Sequence, residues 1–468
     1  MRFESLRNYV TYLRHPLFST IVALSGSLFV IVIFYPGFLS SDSLEQLRQA
    51  RLGIFSDAHP VAMSLLWRGL INIHDGPLLM LVLQSTSLWM GLYLLTKVYM
   101  SRWRGICALL FLVAGITPNM LIYAGVIWKD VQMTHAFLLA TALIVWILNT
   151  DRPTRKGARS AAFFAGILLV YGTLVRHNAL AAVLPMLPLF ACSLSRCWDG
   201  VYNFVSLRTM YLSIIIFFLI LSAQPLLNAV VKPQRDHFIQ YIQLYDLAGI
   251  SMRVDKPLFP EWIKNDKTRY DWRKIELSYQ HYTGNQLFLD HHWTDTLAPL
   301  SMTRDPGRLA ELDSVWMNAV ITYWPQWMDH KLGCFLALMR CQDLSWNSVD
   351  SVLLKQEYQQ QRRSLLSAAT ISYLTFFSGT YLFRPWIWAY LAIAGLIVAT
   401  VSIKRFPQSR LQSVISCHLF LSALLYIAGY ALISSADDFR YVYWSTFATI
   451  IGWIVIIGEV KEFGSGKV

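Results

Sequence analysis

WKDVQMTHAFLLATALIVWILNTDRPTRKGAR, residues Trp128–Arg159, decides the fold. No Asp, Glu, Lys or Arg stands between Val131 and Asn149. That run matches the ~20 residues a helix needs to cross a hydrocarbon core. Inside hydrocarbon a segment must satisfy its own backbone groups, so the run reads as a helix. Lys129 and Asp130 mark one end, and Arg152, Arg155, Lys156 and Arg159 follow the other. Basic residues gather on the cytoplasmic side, which places Arg159 inside and Trp128 outside.

The same reading repeats along the chain. Spans are expected near 17–38, 78–98, 105–123, 130–149, 160–175, 177–193, 210–230, 386–403, 411–433 and 442–459. Basic loops at Lys97/Arg102/Arg104, Arg196/Arg208, Lys404/Arg405/Arg410 and Lys461/Lys467 put both chain ends inside, with Arg2, Arg7 and Arg14 as an N-terminal anchor. The expected fold class is an all-α polytopic membrane protein with about ten transmembrane helices, juxtamembrane helices and a mainly α insert. Counting 364–383 as an eleventh span reverses the last loop, so that segment is read as an interfacial or re-entrant helix. Three regions follow: a membrane module at 1–230 with polar loops 39–77 and 118–130, an insert at 231–363 on the non-cytoplasmic side, and a C-terminal membrane module at 364–468.

Composition agrees. Only 15% of the 468 residues are charged and 55% are hydrophobic, against about 25% charged in soluble domains. Short alternating strands, the mark of a membrane barrel, are not seen. The net charge of +12 sits in loops beside apolar runs, so nucleic acid is excluded as a partner. The six cysteines form no CxxC pair, which gives neither a zinc nor a redox motif. On one helix, Cys334 and Cys341 stand ~10 Å apart along the axis, too far to bond.

Ionisable groups at span ends are costly and are functional candidates by default. Four clusters fall on the expected outer face. The first is Ser40-Ser41-Asp42-Ser43, followed by Glu45, Arg48, Arg51 and Ser56-Asp57-Ala58-His59-Pro60. Asp42 is either a proton acceptor or, with Ser41, a helix cap. The second is Trp128-Lys129-Asp130, a second carboxylate beside a phosphate-binding cation, or an interfacial anchor. The third is Arg176-His177-Asn178, where no acid in the hairpin neutralises the arginine. The fourth is Asp437-Asp438-Phe439-Arg440-Tyr441, in which Arg440 holds a phosphate or pairs with its neighbouring acids. Two acids, several cations and histidines on one membrane face suit a lipid-phosphate substrate whose tail stays in the bilayer.

These residues resemble the pattern of GT-C glycosyltransferases, the multi-span class that uses polyprenyl-phosphate sugars. Within that class the chain is similar to the bacterial serotype-converting glucosyltransferases that decorate the O-antigen of lipopolysaccharide. The resemblance rests on Asp42 through His59-Pro60 after the first span, on Pro118 through Lys129-Asp130, on Arg176-His177 and on Arg440-Tyr441. It covers most of residues 1–230 and the last 80 or so, and is loose over the insert. Many members carry two adjacent acids at the first site; here it is Asp42-Ser43.

The resemblance implies a hexosyltransferase of the bacterial inner membrane whose active site faces the periplasm. A sugar, glucose or another hexose, would pass with inversion from undecaprenyl phosphate to a lipid-linked glycan. Asp42 and Asp130 would be catalytic. Lys129, Arg176 and Arg440 would bind the donor phosphate. His59, His177, Tyr441, Glu45 and Asp57 would contact substrate. No cofactor is required, a divalent metal (Mg or Mn) is left open, and no metal ligands are assigned. A donor-synthesising glycosyltransferase and a flippase are the expected partners. Trp262, Trp272, Trp293, Trp324 and Trp327 are expected in the core of the insert or as sugar platforms. The competing readings are an O-antigen ligase or polymerase acting on a lipid pyrophosphate, and a lipid or sugar transporter.

Overall fold

The apolar runs fold as helices in a computed structural model that describes residues 16–103, 106–150, 154–201, 203–288, 297–340 and 365–464. Arg2, Arg7, Arg14, Arg104, Arg152, Trp293, Cys341 and Lys467 lie outside the described residues. The main helices are α1 (Pro16–Ile33), α2 (Ser41–Leu52), α3 (Val61–Ile71), α4 (Leu78–Trp103), α5 (Lys129–Asn149) and α6 (Arg155–Leu174). Then come α7 (Ala179–Asp199), which is broken into three pieces around Pro185, and α8 (Leu207–Val231). The insert contributes α9 (Ile239–Val254), α10 (Pro306–Thr322) and α11 (Trp324–Leu338). The chain ends with α12 (Leu365–Ser378), α13 (Pro385–Arg405), α14 (Arg410–Ile433) and α15 (Tyr443–Gly464).

Eight helices among the described residues are long and apolar enough to cross a membrane: α4 to α8 and α13 to α15. The chain is therefore a polytopic α-helical membrane protein. The expected span at 105–123 is not one helix. It forms three short pieces, Ile106–Leu109, Leu110–Ala114 and Pro118–Leu121. Pro118 has no amide hydrogen for a continuing helix, so the chain breaks before it and starts a new turn. The first run is a helix only to Ile33, because Tyr35-Pro36-Gly37 turns the chain; Gly37 has φ +121°, a backbone closed to other residues. The described part of α12 has 14 residues, about 21 Å of helix and short of the ~30 Å hydrocarbon core.

Packing places α5 at the centre, against α4, α6 and α15, while α14 lies between α13 and α15. Lipid and water attract apolar side chains differently, so helices in bilayers associate through close fit at small residues. Phe420 of α14 occupies such a fit: a Cβ on Gly395 would lie 2.3 Å from its ring, and one on Gly452 would lie 2.8 Å from it. α8 is the opposite case, with almost its whole surface turned outward.

The insert forms its own core from Leu244, Leu247, Ile250, Ile263, Leu287 and Leu312. Trp262, Trp272 and Trp327 pack on that core, while Trp324 is 62% exposed. At its centre Asp246 is ion-paired with Lys331 at 2.5 Å and accepts from the indoles of Trp316 (3.2 Å) and Trp327 (2.9 Å). A carboxylate so buried requires partners of this kind. Two backbone stitches and one helix contact fix the insert on the membrane block. Asp57 N donates to Gln234 O at 3.0 Å, Gly284 N donates to Ser435 O at 3.0 Å, and α11 packs on α14.

Candidate functional site

A strand-like contact between two loops builds the site. Phe38 N donates to Gly125 O at 3.0 Å, and Ile127 N donates to Phe38 O at 2.9 Å. Gly125 admits this approach, because a Cβ there would sit 1.9 Å from Phe34. Just beyond, Trp128 Nε1 donates to Ser40 Oγ (2.7 Å) and Ser43 Oγ donates to Ile127 O (2.5 Å). Ser40 is the residue that caps α2, not Ser41 or Asp42. The Asp42 carboxylate is left to face Arg440 at 3.5 Å.

Four distant parts of the sequence meet here. Arg440 Nε is 3.1 Å from Asp438 Oδ2, and its guanidinium lies 4.5 Å from the centre of the Trp128 ring and 5.3 Å from that of Tyr441. Arg176 lies 4.9 Å from the same Tyr441 ring, is ion-paired with Asp130 at 3.1 Å and donates to Tyr430 Oη at 2.9 Å. Tyr430 and Tyr441 stack at 5.2 Å. Lys129 Nζ is 2.8 Å from His59 Nδ1. His177 is exposed at the turn after α6, within reach of Lys129, Arg176 and Asp57.

Several expectations change. Arg176 has an acidic partner after all, supplied by Asp130 from another loop. Asp130 is fully buried and faces Arg176. Glu45 turns to its own helix, where both oxygens take the Arg48 guanidinium at 2.8 Å. Asp57 accepts from Asp236 N at 2.6 Å and joins the loop to the insert. Neither acid is placed as a substrate ligand. Asp438 pairs with Arg440, the second of the two alternatives for that cluster, and Trp128 lies against the same guanidinium; Tyr430 joins the site unexpectedly. Arg340 does too: it is buried after α11 and faces Asp437 and Asp438. For Tyr430 the legible signal is a second phenol, Tyr426, four residues before it on α14.

The electrostatics follow from the crowding of cations. Burial raises the Asp42 carboxyl, but Arg440, then Lys129, His59 and Arg176 outweigh it and hold the group well below the usual carboxylate range. Burial and then Lys129 push His59 down to about 4. Its imidazole is neutral at pH 7. In an unfolded chain it titrates near ~6.5. Folding must therefore release a proton as pH falls below ~6.5, and stability declines until about pH 4, where the folded state also protonates. Thermal midpoints in detergent are expected to drop across that window, and His59→Gln to flatten the drop.

A polar column beneath the site holds it in place. Tyr171 Oη donates to Gln132 Oε1 (3.2 Å), and Gln132 Nε2 donates to Gln84 Oε1 (2.8 Å). Gln84 Nε2 in turn donates to the carbonyls of Ala124 (2.9 Å) and Val126 (3.2 Å). Gln84→Leu removes both donors from the loop that carries Trp128 and Lys129. Misplacement by ~1 Å can cost roughly a hundredfold in rate. A fall of ten- to hundredfold in turnover is the order of magnitude expected from that principle, read with a protein that still purifies as a monodisperse species.

Among the described residues, no group of three or more His, Cys, Asp or Glu side chains is arranged to hold a metal ion. The carboxylate Asp42 faces guanidinium and ammonium groups, surroundings that do not fit a divalent cation. Fold and site together define a multi-pass helical membrane protein with a cation-rich cluster at one end of its bundle. Comparison with family models, curated proteins and solved structures returns no significant match.

Proposed function

We propose that the chain is a GT-C-type hexosyltransferase of the bacterial inner membrane, using a polyprenyl-phosphate sugar. One observation carries the reading: Asp42, Lys129, Arg176 and Arg440, up to 398 positions apart between Asp42 and Arg440, meet around the Trp128 and Tyr441 rings. They do so at the ends of α5, α6 and α14, opposite the ends that lead to Arg155, Lys156, Arg159, Lys404 and Arg405. Basic loops stay in the cytoplasm, so the site faces the periplasm. Ten crossings then result if α1 and the broken segment 105–123 are each counted with the eight long helices.

Three cations stand against three carboxylates: Arg176 faces Asp130, Arg440 faces both Asp42 and Asp438, and Lys129 contacts a neutral imidazole. A donor phosphate therefore competes with carboxylates for the two guanidiniums and meets Lys129 directly. In the reaction Asp42 takes the proton of an acceptor hydroxyl. The freed oxygen forms a bond to the anomeric carbon as the bond from that carbon to the phosphate oxygen breaks. The electron pair leaves with the lipid phosphate, held by Lys129, Arg440 and Arg176, and the anomeric centre inverts. Tyr441 sits between the two guanidiniums and sets their spacing, and His59 and His177 flank the phosphate.

The test is incubation of purified protein with a polyprenyl-phosphate hexose and a lipid-linked glycan as acceptor. Release of polyprenyl phosphate supports transfer; an intact donor after prolonged incubation sinks it and leaves the transporter reading. A hexose-sized mass difference in surface polysaccharide, with and without the gene, identifies the donor class and an O-antigen-type acceptor.

A further inference from the structure

The insert does more than cover the bundle. Its segments 234–241 and 280–285 are fixed to the two loops that carry His59 and Arg440. On one side Gln234 N donates to Phe55 O at 2.8 Å, Asp57 N donates to Gln234 O at 3.0 Å, and Ser56 Oγ donates to Asp236. On the other, Gly284 N donates to Ser435 O at 3.0 Å, and Thr283 pairs with Ala436 as an isolated bridge. Between these stitches stands an aromatic stack. Phe238 lies parallel to Tyr241, 5.3 Å between ring centres, and Tyr241 meets Phe288 at 4.5 Å. Asp42 and Tyr441 both lie within electrostatic reach of the Tyr241 phenol.

Phe238 is 40% exposed. Polar groups stand on the adjoining segment 281–285, which Tyr241 joins to Phe238. Asn285 is exposed, and its Oδ1 accepts from Tyr241 Oη at 3.0 Å, which fixes the amide and turns its nitrogen to act as a donor. His281 is edge-on to Tyr282 and lies within electrostatic reach of Asp437. A flat apolar face with an oriented amide, an imidazole and a carboxylate on neighbouring segments suits one chemical class: a neutral sugar, whose C–H face stacks and whose hydroxyl edge needs donors and acceptors.

We infer that Phe238, Asn285 and His281 form a saccharide subsite on the rim of the insert, one that presents an acceptor hydroxyl to Asp42. The inference rests on the glycosyl-transfer reading and names its acceptor side. It replaces the insert's tryptophans, which lie in its core apart from the exposed Trp324. Phe238 binds the ring face, Asn285 and His281 meet hydroxyls, and Tyr241 positions both Phe238 and Asn285.

The experiment is saturation-transfer NMR of the full-length protein in detergent with methyl glycosides of glucose, galactose, mannose and rhamnose as probes. At least one glycoside is expected to give signal at its ring C–H protons. Phe238→Leu keeps the apolar bulk but removes the flat face; it is expected to melt as wild type and to lose at least fivefold of that signal. Phe238→Trp is expected to retain it. Absence of signal from every glycoside, or full signal in Phe238→Leu, overturns the inference. Donor consumption with a lipid-linked glycan acceptor, and without any glycoside, is measured in parallel and reports only on the glycosyl-transfer reading. Donor consumed with no glycoside signal defeats the subsite alone. Glycoside signal with an intact donor defeats the transfer reading and leaves a sugar-binding rim.

Discussion

Asp42→Asn is expected to reduce transfer by about three orders of magnitude in kcat, within the 10²–10⁴ range of a lost general base, with little change in donor KM. Asparagine has the same shape and accepts a hydrogen bond, but it takes up no proton. The fold should survive, because Arg440 retains Asp438 at 3.1 Å when the 3.5 Å pair with Asp42 is lost. A thermal midpoint close to wild type is therefore part of the expected result. Near-normal turnover in Asp42→Asn would defeat the assignment of the base.

The same residue makes a sharper prediction in pH. A carboxylate surrounded by Arg440, Lys129, His59 and Arg176 is a weak base in the free enzyme. A donor phosphate competes for those same cations, and each one it neutralises restores basicity to Asp42. The ordinary value for Asp is about 3.9, so the shift on binding is upward, toward that value. Free-enzyme groups appear in kcat/KM and those of the complex in kcat. The acid limb due to Asp42 is thus expected at higher pH in the kcat profile than in kcat/KM. Coincident limbs would mean that the phosphate does not bind among these cations.

How much of this was legible in the sequence differs from residue to residue. The central helix could be read from Val131 to Leu148 because nothing in that run is charged and no turn residue interrupts it. The segment 105–123 shows the converse: its apolarity is continuous, but Gly115 and Thr117-Pro118 break it into short pieces, and hydropathy does not register continuity of hydrogen bonding. Asp42, Lys129, Arg176 and Arg440 stood out because charge at a span end is expensive. Their pairing was not legible. Asp130 reaches Arg176 across 46 positions and Trp128 reaches Ser40 across 88, and nothing local specifies either contact. Glu45 was open to a better reading, since Arg48 three residues on is a helical ion-pair spacing. The tryptophans of the insert followed the more ordinary of their two expectations, core over platform, for Trp262, Trp272 and Trp327.

Asp130→Ala is expected to cost about 3–5 kcal/mol of stability, the usual penalty for stranding one member of a buried ion pair, and to abolish transfer. The Arg176 side chain is 13% exposed and that of Asp130 is 1% exposed, so solvent cannot replace the lost partner. Loss of activity in this variant alone is ambiguous, because an unfolded protein is also inactive. The double variant Asp130→Leu with Arg176→Met separates the two causes. Replacing both members of a buried pair with apolar groups is often neutral or stabilising, so the thermal midpoint should return to near wild type. Arg176 also lies 4.9 Å from the Tyr441 ring and donates to Tyr430, the geometry that points it at the proposed phosphate. Activity is therefore expected to stay at least a hundredfold down, in line with the 10²–10³ lost when one charge-stabilising donor is removed, and donor KM to rise. Recovery of both stability and turnover would show that the pair serves only to hold α5, α6 and α14 together, and Arg176 would leave the site.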